Sequence, residues 1–218
     1  LPEAAERSLP GDEAALRALR EGIDALNRRH GKRFALFTRE RVLSPREERW
    51  SARERKRGAL EALVRLMVTG ASDELRVFGL SPETLSALPY LITLDEDTRP
   101  DAESLDRLLE AAAHPLNRPV VEDGAVRSGY GILEPGLIVS PESAATPFAA
   151  LLTGCGGFDR YAEGQDAWSM LLSASSPFTG KGLIDVRAYA EVLFDRLPEG
   201  VILSHDLPEG ELLRTGCC

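Results

Sequence analysis

Between Asp12 and about Arg29, the apolar residues Ala15, Leu16, Leu19, Ile23 and Leu26 recur at helical spacing, with Asp12 placed to cap the start and Gly31 to end it. Phe34-Ala-Leu-Phe37 predicts a short strand. Arg39 to Arg53 is a polar, basic connection containing Pro45 and Trp50. Glu54 to Met67 predicts a helix with Leu60, Leu63, Val64 and Met67 on one face and Gly70 following. Tyr90-Leu-Ile-Thr-Leu94, preceded by Pro89, is too short for a helix and predicts a buried strand. A helix is expected from Asp101 to Ala113 through Leu105, Leu108 and Leu109, stopped by His114-Pro115. Val120 to Val139 predicts a hairpin or two strands, turning at Glu122-Asp-Gly124. Further expectations are a helix over Ser143–Leu152, a helix over Asp185–Leu197 capped by Asp185, a short strand at Val201-Ile-Leu203, and a helix from Asp206 to Arg214. Residues 153–182 are rich in Gly and Ser and show no clear period. No repeat or domain boundary is visible, so the pattern is that of one mixed α/β layered domain over 1–218.

The chain has 218 residues, 43% hydrophobic and 28% charged, enough for a sizeable core. Its net charge of -9 argues against nucleic acid or an anionic membrane surface as the main partner. The basic residues cluster between Arg46 and Arg57, an excess that needs its own account. The three cysteines, Cys155, Cys217 and Cys218, and the three histidines lack zinc-ligand spacing or a disulfide framework, which fits a reducing cytosolic setting. No apolar stretch approaches the roughly 18 residues that span a bilayer.

The chemistry concentrates in a few segments. Asp95 and Asp97 stand two residues apart at the end of the Tyr90 strand, and residues two apart on a strand point to the same face, so they are expected to emerge side by side. Ligands of open α/β sheets sit beyond the carboxyl ends of strands, and two adjacent carboxylates there repel unless a cation neutralises them. A hard divalent ion shared with substrate phosphates fits; acidic residues leading into the next helix fit as well, although Asp101 and Glu103 are better placed to cap it. Glu54-Arg-Lys-Arg-Gly58 puts Lys56, Arg57 and Gly58 at a helix start, where they make either an anion site or a solvated basic turn. Phe178-Thr-Gly-Lys-Gly182 flanks Lys181 with Gly180 and Gly182, which suits close approach to a ligand or a plain turn; it lacks the Walker spacing. Asp206, beside His205, is placed to serve as a general base, or as a helix cap with Glu209 in a capping box.

The order of these segments, and the strings themselves, resemble the glycosyltransferase domain of cyclic β-1,2-glucan synthases. The similarity rests on Trp50…Glu54-Arg-Lys-Arg-Gly58, Tyr90-Leu-Ile-Thr-Leu-Asp-Glu-Asp-Thr98, Ala113-His-Pro-Leu-Asn-Arg-Pro119, Gly129-Tyr-Gly-Ile-Leu133, Phe178-Thr-Gly-Lys-Gly182 and Ile202-Leu-Ser-His-Asp-Leu207 with Glu209-Gly210. It runs from about residue 22 to 216. The resemblance implies a GT-A-like fold, with a mixed, mostly parallel sheet flanked by helices. It implies an inverting glucosyltransferase that uses UDP-glucose and Mg²⁺ or Mn²⁺ to extend a β-1,2-glucan acceptor. Carried over, Asp95 and Asp97 would bind the metal and the diphosphate, and Asp206 would activate the acceptor hydroxyl. Lys56, Arg57 and Gly58 would lie near the donor, and Gly180, Lys181, Gly182 and His205 near the diphosphate or acceptor. The chain departs from the family at Glu134-Pro135, where Gln-Pro is usual, and around Arg160 to Ser176.

The family's first strand and last helix have no counterpart here, so the resemblance implies a domain truncated at both ends. Relatives are large inner-membrane proteins with this domain in the cytoplasm, which makes the rest of such a synthase an expected partner. One alternative is a truncated, catalytically incompetent nucleotide-sugar-binding piece. Another is a haloacid-dehalogenase-like phosphohydrolase; that motif wants Thr or Val two residues beyond the second Asp, where this chain has Arg99.

Overall fold

The computed structural model of the chain describes residues 3–44, 48–136, 146–152, 171, 175–202 and 204–218. It divides into two compact units, one made of Leu1–Pro89 with Phe194–Leu203, the other of Tyr90–Leu193 with Ser204–Cys218.

The first unit opens with helix α1 (Asp12–His30), acidic in its first turn and basic in its last, as the helix dipole favours. Strand β1 (Leu36–Thr38) pairs antiparallel with β4 (Arg76–Phe78). Between them lie a hairpin, β2 (Val42–Ser44) with β3 (Arg49–Ser51), and helix α2 (Arg55–Thr69). That hairpin stands where the sequence pattern predicts only a connection. Its strands are three residues each and carry Arg49 and Ser51, so they show no apolar alternation. Helix α2 buries Leu60, Val64 and Met67, as its periodicity predicts, and Gly70 closes it in the left-handed conformation (φ 76°) with its N–H on the Leu66 carbonyl. A short helix, α3 (Pro82–Ser86), is capped by Ser81. The 194–203 segment is held to α2 by charge: Arg65 pairs with Asp195 at 3.2 Å, and Glu54 accepts the Gly200 N–H at 2.6 Å.

The second unit is built on one four-stranded sheet, ordered β10-β8-β9-β5, where β5 is Tyr90–Thr93, β8 Ile132–Glu134, β9 Gly182–Asp185 and β10 Thr215–Cys217. β9 is antiparallel to both β5 and β8, and β10 is parallel to β8. Three of the four strands therefore share one direction, with β9 opposed between them. The sheet is mixed rather than mostly parallel as expected: of its hydrogen-bonded pairs only β8 with β10 is parallel among the described residues. Period-2 apolar patterns carry no information on direction, which is set by the connections.

Helix α4 (Ala102–Ala113) covers one face of this sheet. Its Leu108 and Ala112 pack on Leu133 and Leu183, with Tyr90, Ile92, Ala111 and Tyr130 around them. Burying each Leu contributes roughly 1.5–3 kcal/mol. Asp101 caps α4 by accepting the Ser104 N–H at 2.9 Å. A hairpin of β6 (Val120–Glu122) and β7 (Ala125–Ser128) turns at Asp123 (φ 51°) and Gly124 (φ 72°), the positive pair that suits strand twist. Helix α5 is Pro147–Leu152; residues 143–145 of the predicted 143–152 helix, Val139, and residues 153–170 and 172–174 of the Gly/Ser-rich segment lie outside the described residues.

Helix α6 (Val186–Leu193) follows β9 directly, the Asp185 carboxylate accepting the Arg187 and Ala188 N–H groups. It packs against α7 (Asp206–Leu213). The strand expected at Val201–Leu203 is absent among the described residues: Val201 sits in a turn with 65% of its surface exposed, and the run is too short to bury itself. The strand of this region comes after α7 instead, as β10. None of the helices among the described residues is long and apolar enough to cross a membrane.

Candidate functional site

The antiparallel register of β5 with β9 decides what meets at one edge of the sheet. Thr93, the last residue of β5, lies opposite Gly182, the first of β9. The segment leaving β5 and the segment entering β9 therefore emerge together, and Lys181 Nζ lies 2.9 Å from Asp95 Oδ2. Gly180 turns the loop at φ 85°. Gly182 lets β9 run close to β8, because a Cβ there would meet the Leu133 carbonyl oxygen at 2.6 Å.

Asp97 sits differently from the expected strand geometry. The strand ends at Thr93, and Asp95 to Thr98 form a turn in which the Thr98 N–H donates to the Asp95 carbonyl at 3.1 Å. Alternation therefore does not set the two carboxylates; the turn does, leaving Asp95 half-buried and Asp97 exposed. The Asp95 carboxylate, hydrogen-bonded to Lys181, holds that ammonium above its ordinary value. Partial burial opposes the shift, while the charges of Asp95, Asp97 and Glu134 add to it.

Glu134, at the end of β8, is buried and braces the same loop from below. The Thr179 N–H donates to Glu134 Oε2 at 2.9 Å, and the Thr179 hydroxyl contacts the other carboxylate oxygen. Glu134 thus anchors the Gly180–Gly182 loop. The same loop reaches α7: Gly210 lies so close to Phe178 that a Cβ on it would stand 2.6 Å from the Phe178 Cβ.

The start of α7 brings three further groups together. The helix begins at Asp206, and its N-cap is His205, with no side-chain cap bond. The capping box expected of Asp206 and Glu209 is not formed. Glu209, fully buried, accepts the Tyr189 hydroxyl at 3.3 Å on Oε1 and faces His205 Nδ1 at 3.1 Å with Oε2. Asp206 Oδ1 stands 3.5 Å from the same nitrogen. These three side chains offer ligand atoms within 4.8 Å of one another, a grouping that the sequence reading divided between a base and a cap. The readable signal for Glu209 is its i, i+4 spacing from His205 on a helix.

Lys56, Arg57 and Gly58 belong to the first unit, on the first turns of α2. Lys56 is exposed. Arg57 is buried and lies 2.8 Å from Glu54, with Glu61 at 3.9 Å. Gly58 is packed on the Arg53 backbone, where a Cβ would stand 2.1 Å from the carbonyl oxygen. The basic run is largely answered within its own unit: Arg49 pairs with Glu3 at 2.8 Å and Arg53 with Glu74 at 2.7 Å.

No protein-family model matches the chain. Aligned over 94% of its own length, it is 35% identical to the cyclic beta-(1,2)-glucan synthase NdvB of Rhizobium meliloti (strain 1021). The chain is related to a domain of that synthase. It spans only 8% of that protein's length, so the comparison concerns one segment of a far larger chain. The synthase-related segment carries the Asp95–Lys181 edge and the His205–Asp206–Glu209 group within a single compact unit.

Proposed function

We propose that this chain is a glycosyltransferase domain of the GT-A type, a hexosyltransferase that moves glucose from UDP-glucose to a β-1,2-glucan acceptor with inversion at the anomeric carbon. The observation that carries the reading is the pairing of Lys181 with Asp95 where β5 ends and β9 begins, in a chain related to a domain of a glucan synthase. Asp95 and Asp97 offer oxygen donors only, with Asp97 exposed, which fits a hard divalent cation that keeps phosphates and waters as its other ligands. Mg²⁺ or Mn²⁺, when bound, would offset the charge that grows on the leaving diphosphate.

In this reading Asp95 and Asp97 hold the cation, and Lys181 contributes a fixed positive charge beside the diphosphate. Asp206 accepts the proton of the acceptor hydroxyl as that oxygen bonds to the anomeric carbon. The bond from the anomeric carbon to the diphosphate oxygen breaks, and its electron pair leaves with UDP. The polymer acceptor and the rest of a larger synthase are the partners this function requires.

The test is calorimetric titration of UDP-glucose into the folded chain with Mn²⁺ and again with EDTA, followed by a transfer assay on a β-1,2-glucan acceptor. Binding that needs the metal, and glucose transfer to the acceptor, is the expected result. Absence of both in a folded sample overturns the reading.

A further inference from the structure

Glu209 is a carboxylate with no exposed surface, which is costly unless its oxygens are matched. Tyr189 of α6 supplies one match, its hydroxyl on Oε1. The other oxygen faces His205 Nδ1. That nitrogen stands between two carboxylates, Glu209 at 3.1 Å and Asp206 at 3.5 Å. A hydrogen on Nδ1 would give Glu209 Oε2 its match. Asp206 Oδ1 is buried and has no hydrogen-bond partner among the described residues, so the solvent-facing part of this side chain excludes that oxygen.

We infer that Tyr189, Glu209 and His205 form a positioning chain for Asp206, resting on the transferase reading above. Glu209 orients the ring of His205 through Nδ1–H, and the ring, 3.5 Å from Asp206 Oδ1, packs behind that oxygen and limits how the carboxylate can turn, leaving the rest of it to meet the acceptor hydroxyl. The chain joins two helices: Tyr189 comes from α6, and the other three residues from the start of α7. Its members act through Asp206 and need not touch the sugar. The buried, hydrogen-bonded Glu is therefore the positioning residue, and Asp206 alone takes the proton. Pre-organisation of this kind matters because a proton acceptor works only within hydrogen-bond reach of its donor.

The experiment compares wild type with Glu209→Ala, Glu209→Gln, Tyr189→Phe and Asp206→Asn, each checked for folding by circular dichroism. Glucose transfer and the imidazole ¹⁵N signals of His205 are measured for each. Glu209→Ala is expected to lower kcat on the order of 10- to 100-fold, as when the orienting partner of a functional histidine is removed, with donor KM little changed. Glu209→Gln, whose amide oxygen still accepts from Nδ1–H, is expected to recover part of the rate, and Tyr189→Phe to lose less than Glu209→Ala. In wild type His205 is expected to carry its hydrogen on Nδ1. A folded Glu209→Ala variant with wild-type kcat, or a wild-type His205 with hydrogen on Nε2 alone, overturns the positioning chain while Asp206→Asn remains inactive. If wild type itself does not transfer glucose, or Asp206→Asn transfers at the wild-type rate, the transferase site falls and the positioning chain with it.

Discussion

Lys181 Nζ and Asp95 Oδ2 lie 2.9 Å apart, across the register that sets Thr93 opposite Gly182. The pair joins the exit of one strand to the entrance of its antiparallel neighbour. Lys181 is held above its usual value of 10.5 by that contact, so the tie is fully present below 10.5 and is lost only as pH rises through the higher folded value. Lys181→Met is expected to be less stable than wild type near neutral pH and to converge with it in strong alkali. Urea unfolding of both proteins at about pH 7 and about pH 11 measures the difference. A constant gap across that range would mean the lysine acts through packing alone.

Asp97 and Asp206 are expected to fail in different ways. Asp97→Ala removes a donor oxygen from the exposed side of the turn and should weaken metal-dependent binding of UDP-glucose. Asp206→Asn keeps the shape of the start of α7 but cannot accept a proton, so it should abolish transfer and leave donor affinity near wild type. Titration of UDP-glucose with Mn²⁺ into both variants separates them. Equal loss of donor binding in the two would remove the division of roles.

Asp12 and Arg41 tie the start of α1 to the first unit. Arg41 NH2 donates to Asp12 Oδ1 at 3.0 Å, and a second guanidinium nitrogen reaches Oδ2. The Arg41 guanidinium, followed by the Leu9 N–H, holds the Asp12 carboxyl down to about 2 from 3.8. The stability this supplies is present above pH 3.8 and is lost as pH falls toward 2. Asp12→Asn should therefore melt below wild type at about pH 6, and the two should converge near about pH 2. Melting curves across that range check the sign; a gap that widens in acid would contradict it.

The elements with strong local chemistry are legible in the sequence. Helix α4 shows its Asp101 cap, its Leu108 face and its His114-Pro115 stop, and the β6–β7 turn shows Asp123-Gly124. Strand β10 is not legible: Thr215-Gly216-Cys217 is three residues long and contains a glycine, and what makes it a strand is pairing with β8 and the Tyr130 ring pressed on Gly216. At the site, the presence of Asp95, Lys181 and Asp206 is readable as residue types, and the Lys181–Asp95 contact follows once the β5–β9 register is known. The burial of Glu209 and its link to Tyr189 are not readable, because they depend on how α6 and α7 pack. Arg57 and Gly58 belong to a string that suits an anion by composition, and the local contacts that composition does not reveal are the pairing of Arg57 with Glu54 and the packing of Gly58 on the Arg53 backbone.

Gly182 joins the packing of the sheet to the chemistry at its edge. A methyl group there would stand 2.6 Å from the Leu133 carbonyl oxygen and 3.3 Å from the Glu134 Cα, both backbone atoms that cannot swing aside. Gly182→Ala should push β9 away from β8, at a cost of about 1–3 kcal/mol for overpacking. The same shift moves Lys181, one residue earlier, relative to Asp95, and loosens the Thr179–Glu134 contact that braces the loop. The variant is therefore expected to lose donor affinity beyond what its lowered stability explains. Measuring UDP-glucose binding at a temperature where both proteins remain folded separates the two effects. Affinity equal to wild type, alongside reduced stability, would confine Gly182 to packing and detach the loop geometry from donor binding.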